Sequence, residues 1–471
     1  MVRVYTLCLL YGVFSLVTQP PGPITAPDSA HYFSFSPIVP LGYPVFLSLV
    51  GARGAMLLQP LLYSAALAFL GRETLRATGH TVLALAVVMA GMAVPHVVDF
   101  HASILSESVF LSALVVVLAL IIRFVGSPSW RLMVPIAAVV GVTVTVRRTG
   151  YAWLPALLIM VLLQRHRLKG SPVALFAVAG LAPFLFIVAT ELAVAPMVHA
   201  GGSSSLTGRH LFAKAALVDA PPAPPSADPL RASLDEHLDR RYAPIRELLA
   251  RAPRDVRAVM TIYYETCLQG PCVAASRALM PDRAEPAQTR ALGDAGWARL
   301  AQAPIAFANL TALHVSSLWT VERLRHPRTA AALGAFIEAN RPLPFEHDAF
   351  NLDPGVPMAL QPAGWVRYVQ PAVSALGLFT AALAVAGLVA VAGGRRLPPL
   401  LSVASLAALI AHGSLVFTAL LAAGLARFTI GVWPAVMTAA LFGVWGIAAA
   451  WAPAPLPPTT RASAATAATA P

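Results

Sequence analysis

The sequence predicts an all-α, polytopic membrane protein, and three observations lead to that prediction: its composition, its apolar runs and the charge of its loops. Of its 471 residues, 58% are hydrophobic and 11% are charged. A soluble domain averages about 25% charged residues, so this chain has too few charges to cover a surface that faces water. Apolar runs of about 17 to 25 residues recur along it, the length that an α-helix needs to cross the hydrocarbon core of a bilayer.

Hydropathy predicts about ten transmembrane helices. Their ranges are 2–18, 54–70, 81–98, 104–122, 132–146, 151–164, 173–198, 367–391, 398–423 and 428–451. If each range crosses once, the loops that carry arginines fall on one side: those of Arg72 and Arg76, of Arg123 and Arg131, of residues 165–169, and of Arg395 and Arg396. Basic residues in short loops mark the cytoplasmic side. We therefore expect a bacterial inner-membrane protein with both termini in the cytoplasm.

The same loops explain the net charge of +12, so the sequence predicts membrane lipids, and no nucleic acid, as partners. An N-terminal module, residues 1–198, holds the first seven helices and an outside loop, 19–53. No small-x-small cleavage site precedes the prolines after the first apolar run, which predicts an uncleaved first helix. Residues 367–451 carry the last three helices, and the low-complexity tail, 452–471, is expected to be disordered.

Residues 199–366 interrupt the apolar pattern and predict an extracytoplasmic loop or domain of mixed or helical structure. Within it, 303–321 is apolar, but a crossing there would move Arg395 to the outside. We therefore expect an interfacial or buried amphipathic helix. Cys267 and Cys272 flank a Gly-Pro turn in an oxidising compartment, where a disulfide between them is one alternative and a reduced pair is the other.

Polar side chains collect at the outside ends of the predicted helices. Asp28 lies in the first outside loop, and Asp99, Ser103 and Glu107 follow an i, i+4, i+8 spacing that would place them on one helix face. Acids beside transmembrane helices are costly and point to function. The catalytic candidates are therefore Asp28, Asp99 and Glu107, against the alternative that they brace a loop or a helix start. Candidates to bind a sugar or an acceptor are His31, Tyr32, Tyr43 and His101.

Arg147 and Arg148 lie between two short apolar runs, 132–146 and 151–164. Each run has about 14 residues, or about 21 Å as a helix, which is short for a hydrocarbon core of about 30 Å. The apex is therefore expected below the outer headgroups, where two guanidinium groups suit a phosphate. The alternative is that both side chains snorkel to the headgroups. Arg427, where the last helix begins, adds a third cation on the same side.

The order of these motifs resembles the GT-C glycosyltransferases, and within them bacterial enzymes related to the protein O-mannosyltransferases and the lipid A aminoarabinose transferases. The motifs are "DSAHY" and "PLGYPVFLSL" in the outside loop, "LSESVF" where the fourth helix begins, "RRTGYAWLPALLI" at the apex and "RFTIGVWP" in the last helix. The resemblance covers about residues 1–200, is architectural from there to 365, and returns at 425–436.

This resemblance implies transfer of a sugar, with inversion, from a polyprenyl-phosphate donor to a lipid, glycan or protein acceptor at the periplasmic face. It also implies that Asp28 is the catalytic base, that Glu107 matches an acid at the start of its helix, and that the three arginines match positions that hold the lipid phosphate. The protein O-mannosyltransferases carry an Asp-Glu pair in the first loop. Here Ser29 follows Asp28, which weakens the case for a protein acceptor.

The residue chemistry agrees with that reading. Arginines near the membrane surface stabilise the charge of a departing phosphate, and a carboxylate beside them can take the proton of an acceptor hydroxyl. One alternative is a transporter or flippase of a lipid-linked sugar, which would show repeats and ionisable residues through both leaflets. Another is a non-catalytic scaffold, which would leave Asp28 and Glu107 without a role. No dense carboxylate cluster predicts a metal site, so no cofactor is expected, and a divalent-metal requirement stays open.

Overall fold

The structure is a computed structural model that describes residues 1–93, 97–199, 207–221, 226–241, 243, 246, 278–319, 366–421 and 426–451. Of these residues 83% are helical, and an isolated bridge between Ile24 and Ser103 is the one β feature within them. The helices are α1 (Val2–Val17), α2 (Pro27–Phe33), α3 (Gly42–Thr78), α4 (Thr81–Met92), α5 (Val97–Ala102), α6 (Glu107–Gly126), α7 (Trp130–Val146), α8 (Leu154–Leu163), α9 (Pro172–Val198), α10 (Thr207–Leu217), α11 (Pro229–Glu236), α12 (Glu285–Gln302), α13 (Pro304–Leu318), α14 (Val366–Ala392), α15 (Pro399–Leu421) and α16 (Ala426–Trp451).

Six of the described helices are long and apolar enough to cross a membrane: α3, α6, α9, α14, α15 and α16. A helix satisfies its backbone polar groups internally, which is why apolar runs of this length are helical in lipid. These helices make the chain an all-α, multi-pass membrane protein. The other four predicted spans correspond to shorter apolar helices, α1, α4, α7 and the stretch Arg148–Leu163. The count of ten therefore stays a prediction.

The first outside loop, predicted over 19–53, is largely helical. It contains α2, and α3 begins at Gly42, so the prediction of a loop beyond that residue is wrong. The residues there are apolar, and Pro44 lies in the first turn, where the missing N–H of proline is tolerated. Gly51 has a φ of 69°, which glycine adopts without strain, and the helix kinks there. Residues 42–50 form what we call the N-terminal segment of α3.

Arg147 and Arg148 lie at the apex of a helical hairpin, in agreement with the sequence. A 3₁₀ turn, Arg148–Trp153, joins α7 to α8. Trp153 anchors this turn, because its ring is fully buried and its Nε1 donates to Ser414 Oγ at 2.9 Å. The 17 residues of α7 give a length of about 25 Å, longer than predicted but still short of a core of about 30 Å.

Arginine-bearing loops meet at the other end of the hairpin. Arg167 donates to Val125 O at 2.6 Å and to Gly126 O at 2.7 Å, and so caps the last turn of α6. Gly394, in the loop between α14 and α15, lies against the guanidinium of Arg165. Loops that are far apart in sequence therefore gather at one end of the bundle, which is the pattern that a cytoplasmic surface requires.

The segment between α9 and α14 has a small core of its own. The described helices α10 to α13 bury their apolar side chains together, among them Phe212, Leu234, Leu292 and Leu310. Within the predicted 303–321 stretch, α13 is a helix of 15 residues that buries one side, including His314 and Leu318. Cys267 and Cys272 lie outside the described residues, so the predicted disulfide keeps both alternatives.

Lys214 fastens this segment to the transmembrane bundle. Its side chain is fully buried, and its amine donates to Ala419 O at 2.7 Å and lies 2.8 Å from His314 Nδ1. Burial lowers the pKa of the Lys214 amine well below its ordinary value. Thr429 Oγ1 donates to Leu318 O at 2.5 Å. Helix α13 is therefore held between α10 on one side and α15 and α16 on the other.

Candidate active site

Helix α2 carries Asp28 to the end of the bundle at which the hairpin apex lies. The Ser29 hydroxyl donates to Ile104 O at 2.8 Å and accepts the Ala26 N–H at 2.8 Å. Ile24 exchanges two backbone hydrogen bonds of 2.9 Å with the turn between α5 and α6. Asp28 lies half-buried in the first turn of α2, where the helix dipole favours a carboxylate. Ser29 thus has a structural role, because it fixes the residue beside Asp28 to that turn.

Tyr32, one turn after Asp28, reaches the start of α6. Its ring is buried, and its hydroxyl lies 3.2 Å from Ser106 Oγ. The ring meets that of Tyr43 edge-on, with the ring centroids 4.8 Å apart, and the Tyr43 hydroxyl donates to Gln59 Oε1 at 3.2 Å. The first loop, α3 and the start of α6 therefore share a buried polar seam.

Three charged groups act on the Tyr32 hydroxyl. Burial is the main cause that raises the pKa of Tyr32 to about 12, and the negative charges of Glu107 and Asp28 raise it further. The hydrogen bond with Ser106 and the positive charge of Arg147 lower it. Charges shift one pKa in this way when they lie near the same group. We call the resulting group the Asp28 cluster: Asp28, Tyr32, Glu107 and Arg147.

Glu107 and Arg147 form a buried ion pair inside this cluster. Arg147 Nη1 lies 2.9 Å from Glu107 Oε1, and the two side chains are 16% and 3% exposed. The guanidinium is 5.8 Å from the centroid of the Phe110 ring. Beyond it is a narrow cleft of about 10 Å³ between α6, the apex, α15 and α16, lined also by Thr149, Thr418 and Gly431. That volume holds about one water, so a phosphate at Arg147 requires the cleft to widen.

Arg148 points away from this cleft. The backbone at Arg147 is extended, with φ −155° and ψ 121°, so successive side chains project to different sides. Arg148 Nη1 donates to Glu191 Oε2 at 2.5 Å, and Glu191 Oε1 accepts the Leu41 N–H at 3.0 Å. The sequence analysis did not select Glu191. In the sequence Glu191 stands out as an acid inside the apolar run 173–198, where the membrane makes ionisable residues costly.

The structure therefore divides the three arginines that were predicted to hold one phosphate. Arg147 faces the cleft between α6 and α16, and Arg148 faces α9. Arg427 lies in the first turn of α16, the helix that supplies Gly431 to the cleft. The side chain of Arg427 lies outside the described part of the chain. Of the two arginine side chains that the structure describes at the apex, Arg147 is the one in the Asp28 cluster.

The prediction that Asp99, Ser103 and Glu107 lie on one helix face is wrong. Helix α5 ends at Ala102 and α6 begins at Glu107, so the i, i+4, i+8 spacing does not run along a continuous helix. Ser103 forms the bridge to Ile24 instead, and its hydroxyl donates to the backbone oxygen of Asp99. Asp99 is exposed on a different helix from Glu107. Its catalytic role stays a prediction.

Two of the four residues that were predicted to bind a sugar or an acceptor are instead buried and bonded to other side chains of the bundle. His101 is fully buried, with Nε2 3.1 Å from the Tyr11 hydroxyl and Nδ1 2.7 Å from Ser108 Oγ. Tyr43 is also fully buried, and its hydroxyl is used by Gln59. By contrast, His31 is half-buried, three residues after Asp28 on α2, and so lies on the same side of that helix. Among the four, His31 and Tyr32 therefore stay candidates to contact a substrate.

No family model, no curated protein and no solved structure matches this chain. The resemblance to the GT-C glycosyltransferases therefore stays an expectation drawn from motifs. Within the described residues, no three His, Cys, Asp or Glu side chains are close enough together to hold a metal ion.

Proposed function

We propose that this protein is a membrane glycosyltransferase that moves a sugar from a polyprenyl-phosphate donor to a cell-envelope acceptor, at the periplasmic face of a bacterial inner membrane. One observation carries the proposal. Asp28 and Tyr32 from the first loop, Glu107 from α6 and Arg147 from the apex converge at one end of an apolar bundle. A carboxylate next to a fixed cation suits proton removal combined with stabilisation of a departing anion.

In the proposed reaction, Asp28 accepts the proton of an acceptor hydroxyl while that oxygen bonds to the anomeric carbon of the donor. The bond between this carbon and the phosphate oxygen breaks, and its electron pair leaves on the polyprenyl phosphate. Attack and departure take place on opposite faces in one step, so the anomeric configuration inverts. Phosphate leaves as a stable anion, which is why this site needs no strong general acid.

Arg147 stabilises the charge that develops on the departing phosphate. In the structure Glu107 pairs with this guanidinium at 2.9 Å, and the second charge that develops on the phosphate as its bond to the sugar breaks lets the phosphate compete with Glu107 for Arg147. An arginine fork binds phosphate oxygens in pairs, which a point charge does not. Helix α16 forms the opposite wall of the cleft, and we place Arg427, at the start of that helix, on the donor as well.

The proposed site requires a defined topology, with about ten spans, cytoplasmic termini and residues 199–366 outside. We predict that a cysteine introduced at residue 170 reacts with membrane-impermeant reagents only from the cytoplasm, and one at residue 260 only from the periplasm. The meeting of Arg167 with the end of α6 supports this sidedness. Labelling of residue 260 from the cytoplasm alone would contradict the site on the outer face.

A deletion strain tests the function itself. Mass spectrometry of its envelope lipids and glycans is expected to show the loss of one sugar modification and the accumulation of its polyprenyl-phosphate precursor on the periplasmic side. Complementation with the wild-type gene should restore the modification, and the Asp28→Asn gene should not. Accumulation of the precursor on the cytoplasmic side, with complementation by Asp28→Asn, would indicate a flippase instead.

A further inference from the structure

Glu191 holds two groups at once. Its Oε2 accepts from Arg148 Nη1 at 2.5 Å, and its Oε1 accepts the Leu41 N–H at 3.0 Å. Leu41 directly precedes α3, so one carboxylate fastens both the guanidinium and the N-terminal segment of α3. The Glu191 side chain is 4% exposed, whereas that of Arg148 is 39% exposed. A ligand can therefore approach the arginine from open surface.

A groove of about 320 Å³ begins beside this ion pair, between the N-terminal segment of α3, the end of α7 and α9. Its walls are mainly apolar, with residues such as Val45, Phe186 and Val194, and the lining residues with polar side chains are Thr145, Thr190 and Glu191. The Phe186 side chain is 75% exposed, so the groove opens on the side of a helix that is long and apolar enough to cross the membrane. The volume is within the range of small-molecule sites.

An apolar groove that Glu191 lines, with the partly exposed guanidinium of Arg148 bound to that same glutamate, suits an amphiphile with an anionic headgroup. The charge of the headgroup decides whether it can displace Glu191. A phosphate monoester carries about −1.5 to −2 charges near pH 7, whereas a phosphodiester carries one, no more than the glutamate. Among lipid phosphates, the monoester therefore competes better for Arg148.

We propose that Arg148 and this groove form a second lipid site, which binds a lipid phosphate monoester, and that Glu191 is the positioning residue that occupies Arg148 until such a lipid arrives. This inference deepens the proposed function, on which it rests: the donor is a phosphodiester, and the lipid product of sugar transfer is a monoester. The site thus takes the product away from the Asp28 cluster. When the phosphate replaces Glu191 at Arg148, Glu191 loses its ion pair with that arginine. Its other bond, to the Leu41 N–H at the start of the N-terminal segment of α3, is then no longer braced by Arg148.

The proposal is tested by ligand binding to the full-length protein in nanodiscs. The probes are dodecyl phosphate as the monoester, methyl dodecyl phosphate as the diester, and inorganic phosphate. Wild type is expected to bind dodecyl phosphate at least about tenfold more tightly than either of the others, because a hydrogen bond to a charged group changes affinity by about tenfold to a hundredfold. Arg148→Gln should remove this preference.

Glu191→Gln gives the sharpest result. It keeps an oxygen for the Leu41 N–H but removes the anion that competes for Arg148, so dodecyl phosphate and the diester should each bind about tenfold more tightly. The matched control is Glu73→Gln. Glu73 is another buried glutamate of a membrane helix, with Arg72 and Arg76 each 3.4 Å away, and its substitution should leave both affinities unchanged. Thermal unfolding of all three variants checks that they are folded.

A purely structural Glu191 would weaken binding or leave it unchanged when neutralised, and either outcome overturns the inference. Equal binding of inorganic and dodecyl phosphate would show a site for free phosphate, and equal binding of monoester and diester would remove the product assignment. If the proposed function is wrong, the envelope of the deletion strain keeps all its sugar modifications, although dodecyl phosphate still binds at Arg148. Sugar transfer together with an unchanged Glu191→Gln affinity would overturn this inference alone.

Discussion

Asp28→Asn is expected to lower sugar transfer by about a hundredfold to ten-thousandfold, the range that a general base contributes. The amide keeps the shape of the side chain and its place in the first turn of α2, but it cannot accept the proton of the acceptor. The variant should therefore insert in the membrane and bind the donor like wild type. The measurement is the transfer rate of purified protein, with donor binding determined on the same sample.

The matched control for this substitution is Asp228→Asn. Asp228 is also a carboxylate at the start of a helix, where its Oδ1 accepts the Leu230 N–H at 3.0 Å, but it is exposed and precedes α11, outside the Asp28 cluster. The Asp228→Asn variant should keep the wild-type transfer rate. Asp28→Glu is expected to retain a trace, because its carboxylate is displaced by one methylene. Full transfer by purified Asp28→Asn would exclude Asp28 as the base and return Glu107 and Asp99 to consideration.

Arg147→Ala is expected to have two separate effects. Donor affinity should fall by about tenfold to a hundredfold, because a hydrogen bond to a charged phosphate is lost. The protein should also lose about 3–5 kcal/mol of unfolding free energy, since the substitution removes one partner of a buried ion pair and leaves the charge of Glu107 behind. Donor binding and thermal unfolding measure the two effects on one preparation.

The double variant Glu107→Gln, Arg147→Gln separates these effects. Removing both charges leaves no buried ion alone, so the stability should recover most of the loss. The donor affinity should stay low, because the cation is still absent. Arg147→Lys should recover part of the affinity, since an ammonium supplies charge without the guanidinium fork. Unchanged donor affinity in Arg147→Ala would reduce Arg147 to a structural partner of Glu107.

The all-α, multi-pass membrane class could be predicted from the sequence because hydropathy and helix length obey one physical constraint. Backbone groups in lipid must be satisfied internally, so an apolar run such as that of α6 has essentially one solution. The start of α3 was predicted too late for a different reason. The run after Gly42 is short and rich in turn-forming residues, and its packing against the end of α7 leaves no local signal in the sequence. Gly42 lies so close to Thr145 that a Cβ would meet the backbone of that residue.

The candidate site could be predicted in part, since ionisable residues at membrane depth are conspicuous. That reasoning selected Asp28, Glu107 and Arg147, which the structure brings together. It could not show that α5 and α6 are separate helices, because the spacing from Asp99 to Glu107 suits a continuous helix equally well. Nor could it show that Arg147 and Arg148 face different partners, which depends on the extended backbone at the apex.

Glu191 was missed because it lies alone inside an apolar run, seven residues from the end of its helix. Its partners, Arg148 and Leu41, are 43 and 150 residues away in sequence. No local pattern connects residues over such distances. An ionisable side chain in a membrane helix is nevertheless costly, and this criterion, which selected Glu107, also selects Glu191.

The central claim is that the Asp28 cluster transfers a sugar from a lipid phosphate, and its most direct test is a transfer assay with the lipids of the deletion strain. Wild-type protein in nanodiscs would be given that lipid extract together with deletion-strain envelope as acceptor, and the lipids would be analysed by mass spectrometry. We expect that the polyprenyl-phosphate sugar is consumed and that free polyprenyl phosphate appears with wild type, and that neither change occurs with Asp28→Asn. Release of polyprenyl phosphate at the same rate by both proteins, or by neither, would contradict it.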